Sequence, residues 1–209
     1  MAESPMTQRW LVWKSLQTLA RILSTVLFDL KVDGLEHIPA NGGAIIACNH
    51  QSYLDPILMN VRLRRPLSYI AKAELFKSRF MNWLLRSVGA FPVHQGTTDV
   101  HAVRQSIQRL REGWLLNIYP EGARSVDGEI GQMQRGIALI DRRAHVPVLP
   151  AVIVGAFEAW PLYRSFPRPG PIRIRFGPPM NLANLNSEQL VATVDRTLRM
   201  MFDELRGER

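Results

Sequence analysis

Ala44-Ile45-Ile46-Ala47-Cys48-Asn49 is an apolar run of strand length, and His50-Gln51-Ser52-Tyr53-Leu54-Asp55-Pro56 follows it directly, leading into a helical pattern through Leu58, Val61 and Leu63. A short apolar strand that gives way to a helix is the opening of an α/β unit. The same alternation recurs along the chain: PLSYIA at 66–71, GAFPV at 89–93, WLLNIY at 114–119, VPVLPAVIV at 146–154 and PIRIRF at 171–176 are strand candidates separated by helix-length segments. Val100, Val103, Ile107 and Leu110 mark one crossover helix, opened by Thr97, Thr98 or Asp99 and closed by Gly113. A final helix begins near Asn186 or Ser187 and carries Leu190, Val191, Val194, Leu198, Met201 and Leu205 on one face. The alternation predicts an α/β fold. No repeat or long linker divides the chain, although five prolines stiffen residues 167–179. The simplest division is an N-terminal helix over 1–30 and one α/β domain over 31–209.

The 209 residues are 46% hydrophobic, enough for a sizeable core, which excludes a disordered chain. Cys48 is the single cysteine, so an intrachain disulfide and a Cys-rich zinc site are excluded and a reducing compartment is expected. The net charge is +8, and 22 of the 26 cations are arginine, the side chain that grips phosphate with a planar fork. An anionic partner follows: nucleic acid, an anionic membrane surface or a phosphorylated small substrate. No zinc-finger spacing, RNP-like strand or recognition helix favours nucleic acid.

The opening MAESPMTQRW lacks the features of a signal peptide, and Lys14, Arg21 and Asp29 interrupt the apolar segment from Trp10 to Leu30, so it does not read as a spanning helix. Trp10, Trp13, Leu16, Leu19 or Ala20, Leu23, Val26 or Leu27 and Leu30 recur at steps of three and four, the pattern of an amphipathic helix. Such a helix either lies in the headgroup region of a membrane or packs on its own domain.

Two constellations carry chemistry. In a regular helix His50 and Asp55 would point about 140° apart, so they meet only if the chain between them turns, as a strand-to-helix junction allows. Asp55 can then hold one ring nitrogen of His50 and leave the other to take a proton, the general-base arrangement. Asp55-Pro56 equally suits a helix N-cap followed by N1. The second constellation, Tyr119-Pro120-Glu121-Gly122-Ala123-Arg124-Ser125, follows another strand. There Arg124 can clamp a phosphate, Gly122 permits close backbone approach, and Glu121 is expected to hold Arg124 or a hydroxyl. Cys48, two residues from His50, is a lesser candidate for a thiol acyl-enzyme, its alternative being a core residue. Nothing resembling GxSxG occurs, and His37, His94, His101 and His145 show no ligand spacing, so no metal is predicted.

These blocks, in this order and about 70 residues apart, resemble those of the glycerolipid acyltransferases that acylate lysophosphatidic acid and related acceptors. Asn49-His50 through Asp55 resembles the family's NHx4D block, Tyr119 through Ser125 its FPEGTRS block, and Val146-Pro147-Val148-Leu149-Pro150 its VPVxPV strand; the resemblance covers roughly residues 30–180. Ala71-Lys72-Ala73-Glu74-Leu75 resembles a further segment whose lysine helps to hold the acceptor's phosphate. Three positions depart from the pattern. Gln95 stands where a GxxFVxR block ends in arginine, Ala123 replaces a threonine, and Arg135-Gly136 falls where Lys-Gly is common. A neutral amide cannot supply the bond a guanidinium gives to phosphate, so Gln95 keeps a lyso-aminolipid open as an alternative acceptor.

The resemblance implies a mixed, largely parallel sheet flanked by helices. It implies transfer of a fatty acyl group from acyl-CoA or acyl carrier protein to a lysophospholipid hydroxyl, foremost that of 1-acylglycerol 3-phosphate, giving phosphatidic acid. His50 is then the base and Asp55 its orienting carboxylate, with Lys72, Glu121, Gly122, Arg124 and Arg135 binding substrate. No cofactor is implied beyond the acyl donor. The protein is expected on the cytoplasmic side of an anionic membrane as a peripheral or monotopic protein. A competing reading is a non-catalytic basic membrane-binding protein, in which charge and the first helix are the whole function. Phe76, Phe80, Met81, Trp83 and Leu84 either line an acyl pocket or belong to the core.

Overall fold

The computed structural model describes residues 6–93 and 99–208, with side chains from residue 13 onward; the Trp10 side chain, His94, Gln95, Thr97 and Thr98 lie outside the described part. Helix α1 (Met6–Phe28) precedes strand β1 (Lys31–Asp33), then β2 (Ala44–Cys48), α2 (Asp55–Leu58), β3 (Leu67–Lys72), α3 (Arg79–Ser87) and β4 (Ala90–Val93). The second half runs α4 (Val100–Arg111), β5 (Leu115–Ile118), α5 (Gly136–Ala144), β6 (Val148–Val154), α6 (Ala156–Ala159), β7 (Arg173–Phe176) and α7 (Ser187–Gly207). The strands form a seven-stranded sheet in the order β1-β7-β6-β2-β5-β3-β4. β6, β2, β5, β3 and β4 are mutually parallel, β7 is antiparallel to β6, and β1 is parallel to β7. The sheet is mixed and largely parallel, as expected; β1 has no counterpart among the apolar runs.

Every residue of β2 is buried, and its side chains alternate between two cores. Ala44, Ile46 and Cys48 face the layer that includes Phe28, Leu54 and Leu58, while Ile45 and Ala47 face Leu110, Ile137, Val194 and Leu198 of α4, α5 and α7. At the foot of β2, a Cβ on Gly43 would sit 2.1 Å from the Leu110 carbonyl oxygen, so only glycine admits the end of α4 there.

The caps follow sequence chemistry. Asp99 opens α4 by accepting from the Ala102 N–H at 3.0 Å. Asn186 opens α7 in a reciprocal capping box with Gln189. The buried face of α4 runs through Ala102, Ser106 and Leu110, and Val100, placed on the apolar stripe by periodicity, is exposed. The helix expected from Pro56 to Leu63 stops at Leu58; Met59, Val61 and Leu63 are buried in turns instead.

α1 answers the two readings of the N-terminal segment with two faces. Trp13, Ala20, Ser24 and Phe28 turn toward the domain, and Gln17 donates to the carbonyls of Asn60 and Leu63 at 2.7 and 2.8 Å. Leu19, Ile22, Leu23, Val26 and Leu27 are exposed. Among the described residues no helix is long and apolar enough to cross a membrane.

Candidate active site

β2 and β5 are neighbours, yet the chain leaves β2 toward α2 on one face of the sheet and leaves β5 toward α5 on the other. A crevice opens at the carboxyl ends of such strands, where α/β proteins place their ligands. His50 stands just past β2 and Tyr119-Pro120-Glu121 just past β5, so topology alone brings the two constellations together.

His50 Nδ1 lies 2.7 Å from Asp55 Oδ2. The same carboxylate oxygen accepts the backbone N–H groups of Gln51 at 2.6 Å and Ser52 at 2.8 Å. Asp55 is fully buried, whereas 17% of the His50 side chain is exposed. The chain turns back between the two residues so that one oxygen organises both the turn and the imidazole. Asp55 is therefore the first residue of α2 and not its N-cap, because its acceptor points to N–H groups upstream of the helix.

The second loop grips His50 from three sides. Tyr119 stacks on the imidazole with ring centroids 3.9 Å apart and planes 12° from parallel. Glu121 Oε1 accepts the His50 N–H at 2.7 Å, and the His50 carbonyl accepts from Ser125 N at 2.7 Å. The other Glu121 oxygen accepts from Gly131 N at 2.6 Å; a Cβ on Gly131 would come within 3.0 Å of that oxygen. Glu121 thus holds backbone and not Arg124, a correction to the expectation from sequence. Burial pushes its carboxyl above the usual range, against the lowering effect of the Gly131 and His50 N–H groups. Gln51 ties the loops together by donating to the Gly128 carbonyl, and Asn49 clamps β6 by bonding both the N–H and the carbonyl of Ile153 at 2.8 and 2.9 Å.

Arg124 lies over Tyr53, its guanidinium carbon 3.6 Å from the ring centroid, and its Nη1 is buried with no hydrogen-bond partner among the described residues. Stacking occupies the face of the guanidinium and leaves its in-plane N–H groups for an anion. Gly122, at φ 74°, takes the left-handed turn that starts the loop around Arg124.

Lys72 ends β3 at the same rim and is exposed. Arg135 is exposed and pairs with Glu188 of α7 at 3.1 Å, so the structure joins it to that helix and shows no contact with the dyad. Cys48 is fully buried against Met59, and burial, then the Asp55 and Glu121 carboxylates, push its thiol up, which makes it a core residue and a poor nucleophile. Phe80 and Trp83 are exposed on α3, contrary to a core placement. Sequence reasoning missed Tyr53 and Tyr119. An aromatic beside each motif was the available signal, but stacking partners are set by the fold. Among the described residues no cluster of His, Cys, Asp and Glu is placed to hold a metal.

A histidine held by a buried carboxylate, with an uncommitted arginine Nη1 nearby at the carboxyl edge of an α/β sheet, is an arrangement suited to acid–base chemistry on an anionic substrate. The chain belongs to the acyltransferase family, whose model matches residues 29–154. It is 26% identical to the 1-acyl-sn-glycerol-3-phosphate acyltransferase of Bacillus subtilis over 94% of this chain and 98% of that protein. It is also 26% identical to the chloroplastic 1-acyl-sn-glycerol-3-phosphate acyltransferase LPAT1 of Arabidopsis thaliana, over 64% of this chain and 38% of that longer protein. The crystal structure of the 1-acyl-sn-glycerophosphate acyltransferase PlsC from Thermotoga maritima superposes with a TM-score of 0.82 at 28% identity, covering 98% of this chain and 84% of that one.

Proposed function

We propose that this acyltransferase moves a fatty acyl group from a thioester, acyl-CoA or acyl carrier protein, to the free hydroxyl of 1-acylglycerol 3-phosphate, giving phosphatidic acid. The His50–Asp55 contact of 2.7 Å, with Arg124 stacked beside it on Tyr53, carries this reading. Asp55 fixes Nδ1 as the protonated nitrogen and leaves Nε2 as the base. Nε2 takes the proton as the hydroxyl oxygen bonds to the thioester carbonyl. Collapse of the tetrahedral intermediate breaks the C–S bond, and the imidazolium returns the proton to the departing thiolate. Arg124 holds the acceptor's phosphate through its in-plane N–H groups, with Lys72 as a second cation at the rim. No metal or redox cofactor enters this scheme. The names of the B. subtilis and T. maritima relatives support the acceptor.

The exposed apolar face of α1 suits a helix lying in the interface of an anionic bilayer, on the cytoplasmic side, as a peripheral or monotopic contact. The test is free thiol released from long-chain acyl-CoA on anionic vesicles, with lysophosphatidic acid, glycerol 3-phosphate and a lyso-aminolipid offered separately. Release should depend on lysophosphatidic acid and fall by roughly 10²–10⁴ in His50→Ala. Equal release by both proteins would remove His50 from the mechanism.

A further inference from the structure

The segment after β6 is built inside out. The Arg168 N–H donates to the Ala159 carbonyl at 2.8 Å, which pinches residues 159–168 into a closed loop. Polar groups brace its interior: Trp160 Nε1 donates to the Arg164 carbonyl at 2.9 Å, Arg164 Nη1 to the Glu158 carbonyl at 2.8 Å, and the Arg164 N–H to the Pro161 carbonyl at 3.2 Å. Its large apolar side chains point outward, beside exposed Ser165 and Arg168. Tyr163 is 73% exposed, Phe166 79% and Leu162 43%. A loop solvated only by water has no reason to spend its polar groups inward and its aromatic rings outward.

Its position matters as much as its composition. The Gly170 and Ile172 N–H groups donate to the carbonyls of Leu27 and Phe28, so the loop's exit is stitched to the end of α1, beside exposed Val26 and Leu27. Its entry packs on the site: Trp160 lies 5.4 Å from the Tyr53 ring that supports Arg124, and the Trp160 carbonyl accepts from Ser52 Oγ at 2.8 Å. Residues 160–168 also hold two arginines and no acidic residue. Aromatic tips beside the exposed Arg168 match the two layers of an anionic lipid surface, rings at the acyl boundary and a guanidinium group at the phosphates.

We infer that the 160–168 loop is a second bilayer contact, placing Leu162, Tyr163 and Phe166 at the lipid interface beside the outer face of α1 and fixing the mouth of the His50 site against the membrane. The inference rests on the proposed membrane role of α1. With contacts from two elements the protein cannot roll about the helix axis, and the crevice faces the lipid from which an acyl acceptor emerges.

The test is co-sedimentation with phosphatidylglycerol-containing vesicles of wild type, Tyr163→Ser/Phe166→Ser, and Leu23→Ser/Val26→Ser on α1. The loop variant should lose vesicle partitioning by roughly tenfold, while keeping its thiol release with a dispersed short-chain lysophosphatidic acid. If it binds like wild type while the α1 variant does not, the loop inference is overturned and the role of α1 stands. If neither variant loses binding, the membrane reading itself fails. A measurement on the intact fold gives an independent check. Because Cys48 is buried, Phe166→Cys accepts an environment-sensitive fluorophore selectively; its emission should shift to the blue on vesicle addition, while the same label at Arg104→Cys on α4 should not respond. An unchanged Phe166→Cys spectrum would also overturn the inference.

Discussion

The crevice at the ends of β2 and β5 and the rim formed by α1 and the 160–168 loop depart from ordinary solvation in opposite directions. In the crevice, a fully buried Asp55 oxygen accepts from an imidazole and two backbone N–H groups, and a largely buried Glu121 accepts from two more. On the rim, Leu23, Val26, Tyr163 and Phe166 are left to solvent. Buried carboxylates are costly unless hydrogen-bonded, and here the chain turns back to bring three donors to Asp55 Oδ2 and two N–H groups to Glu121, while Asp55 Oδ1 is buried with no partner among the described residues. Exposed aromatic and aliphatic clusters persist where a surface other than water receives them. On the proposed function, one region holds the base rigid and the other faces the lipid that supplies its substrate.

This division of labour is broken most directly at Asp55. Asp55→Asn keeps the volume and can keep an oxygen facing the three donors at the Oδ2 position, but it removes the negative charge that favours the imidazolium, and acceptor-dependent thiol release should fall by roughly 10²–10⁴ with vesicle binding unchanged. Parallel loss of vesicle binding would show that crevice and rim are not separable. A smaller effect belongs to Tyr53, which touches both regions. Tyr53→Leu removes the platform under Arg124 and should raise KM for a phosphate-bearing acceptor about 3- to 30-fold with little change in kcat, and Tyr53→Trp should restore it. A change in kcat alone would mean that Tyr53 serves the dyad instead.

Glu121 gives the smallest effect and sharpens the account of the crevice. Because burial raises its carboxyl pKa, the folded protein binds this proton more readily than the unfolded chain does. Stability therefore falls as pH rises from the ordinary value of 4.5 through the raised one. Across that window the wild type should lose melting temperature relative to Glu121→Gln as pH rises. The gap between the two proteins should therefore narrow with rising pH, the variant being the less stable for want of one backbone acceptor. An identical slope in both proteins would remove Glu121 as its source.

Much of this was legible in the residues. β2, β5 and β6 coincide with apolar runs because central strands of a parallel sheet are buried on both faces and need no polar alternation, whereas β7, antiparallel to β6, alternates Arg173, Ile174, Arg175 and Phe176. β1, three residues long and largely exposed, carries no such mark, and pairs with β7 only because α1 delivers it there. Leu58, Val61 and Leu63 have helical spacing, yet the helix ends at Leu58 and the chain continues in turns, where Gln17 of α1 donates to the Asn60 and Leu63 carbonyls.

By itself the sequence determined the α/β alternation, the capping of α4 and α7 and the candidate pair His50 and Asp55, since each depends on residue types within one or two turns of chain. The tertiary structure alone decided that Glu121 binds backbone, that Arg124 rests on Tyr53, that Arg135 pairs with Glu188 of α7 and that α1 shows apolar side chains on two faces. Those outcomes depend on which distant groups the folded sheet brings within hydrogen-bonding or stacking distance, and a linear pattern does not encode that distance.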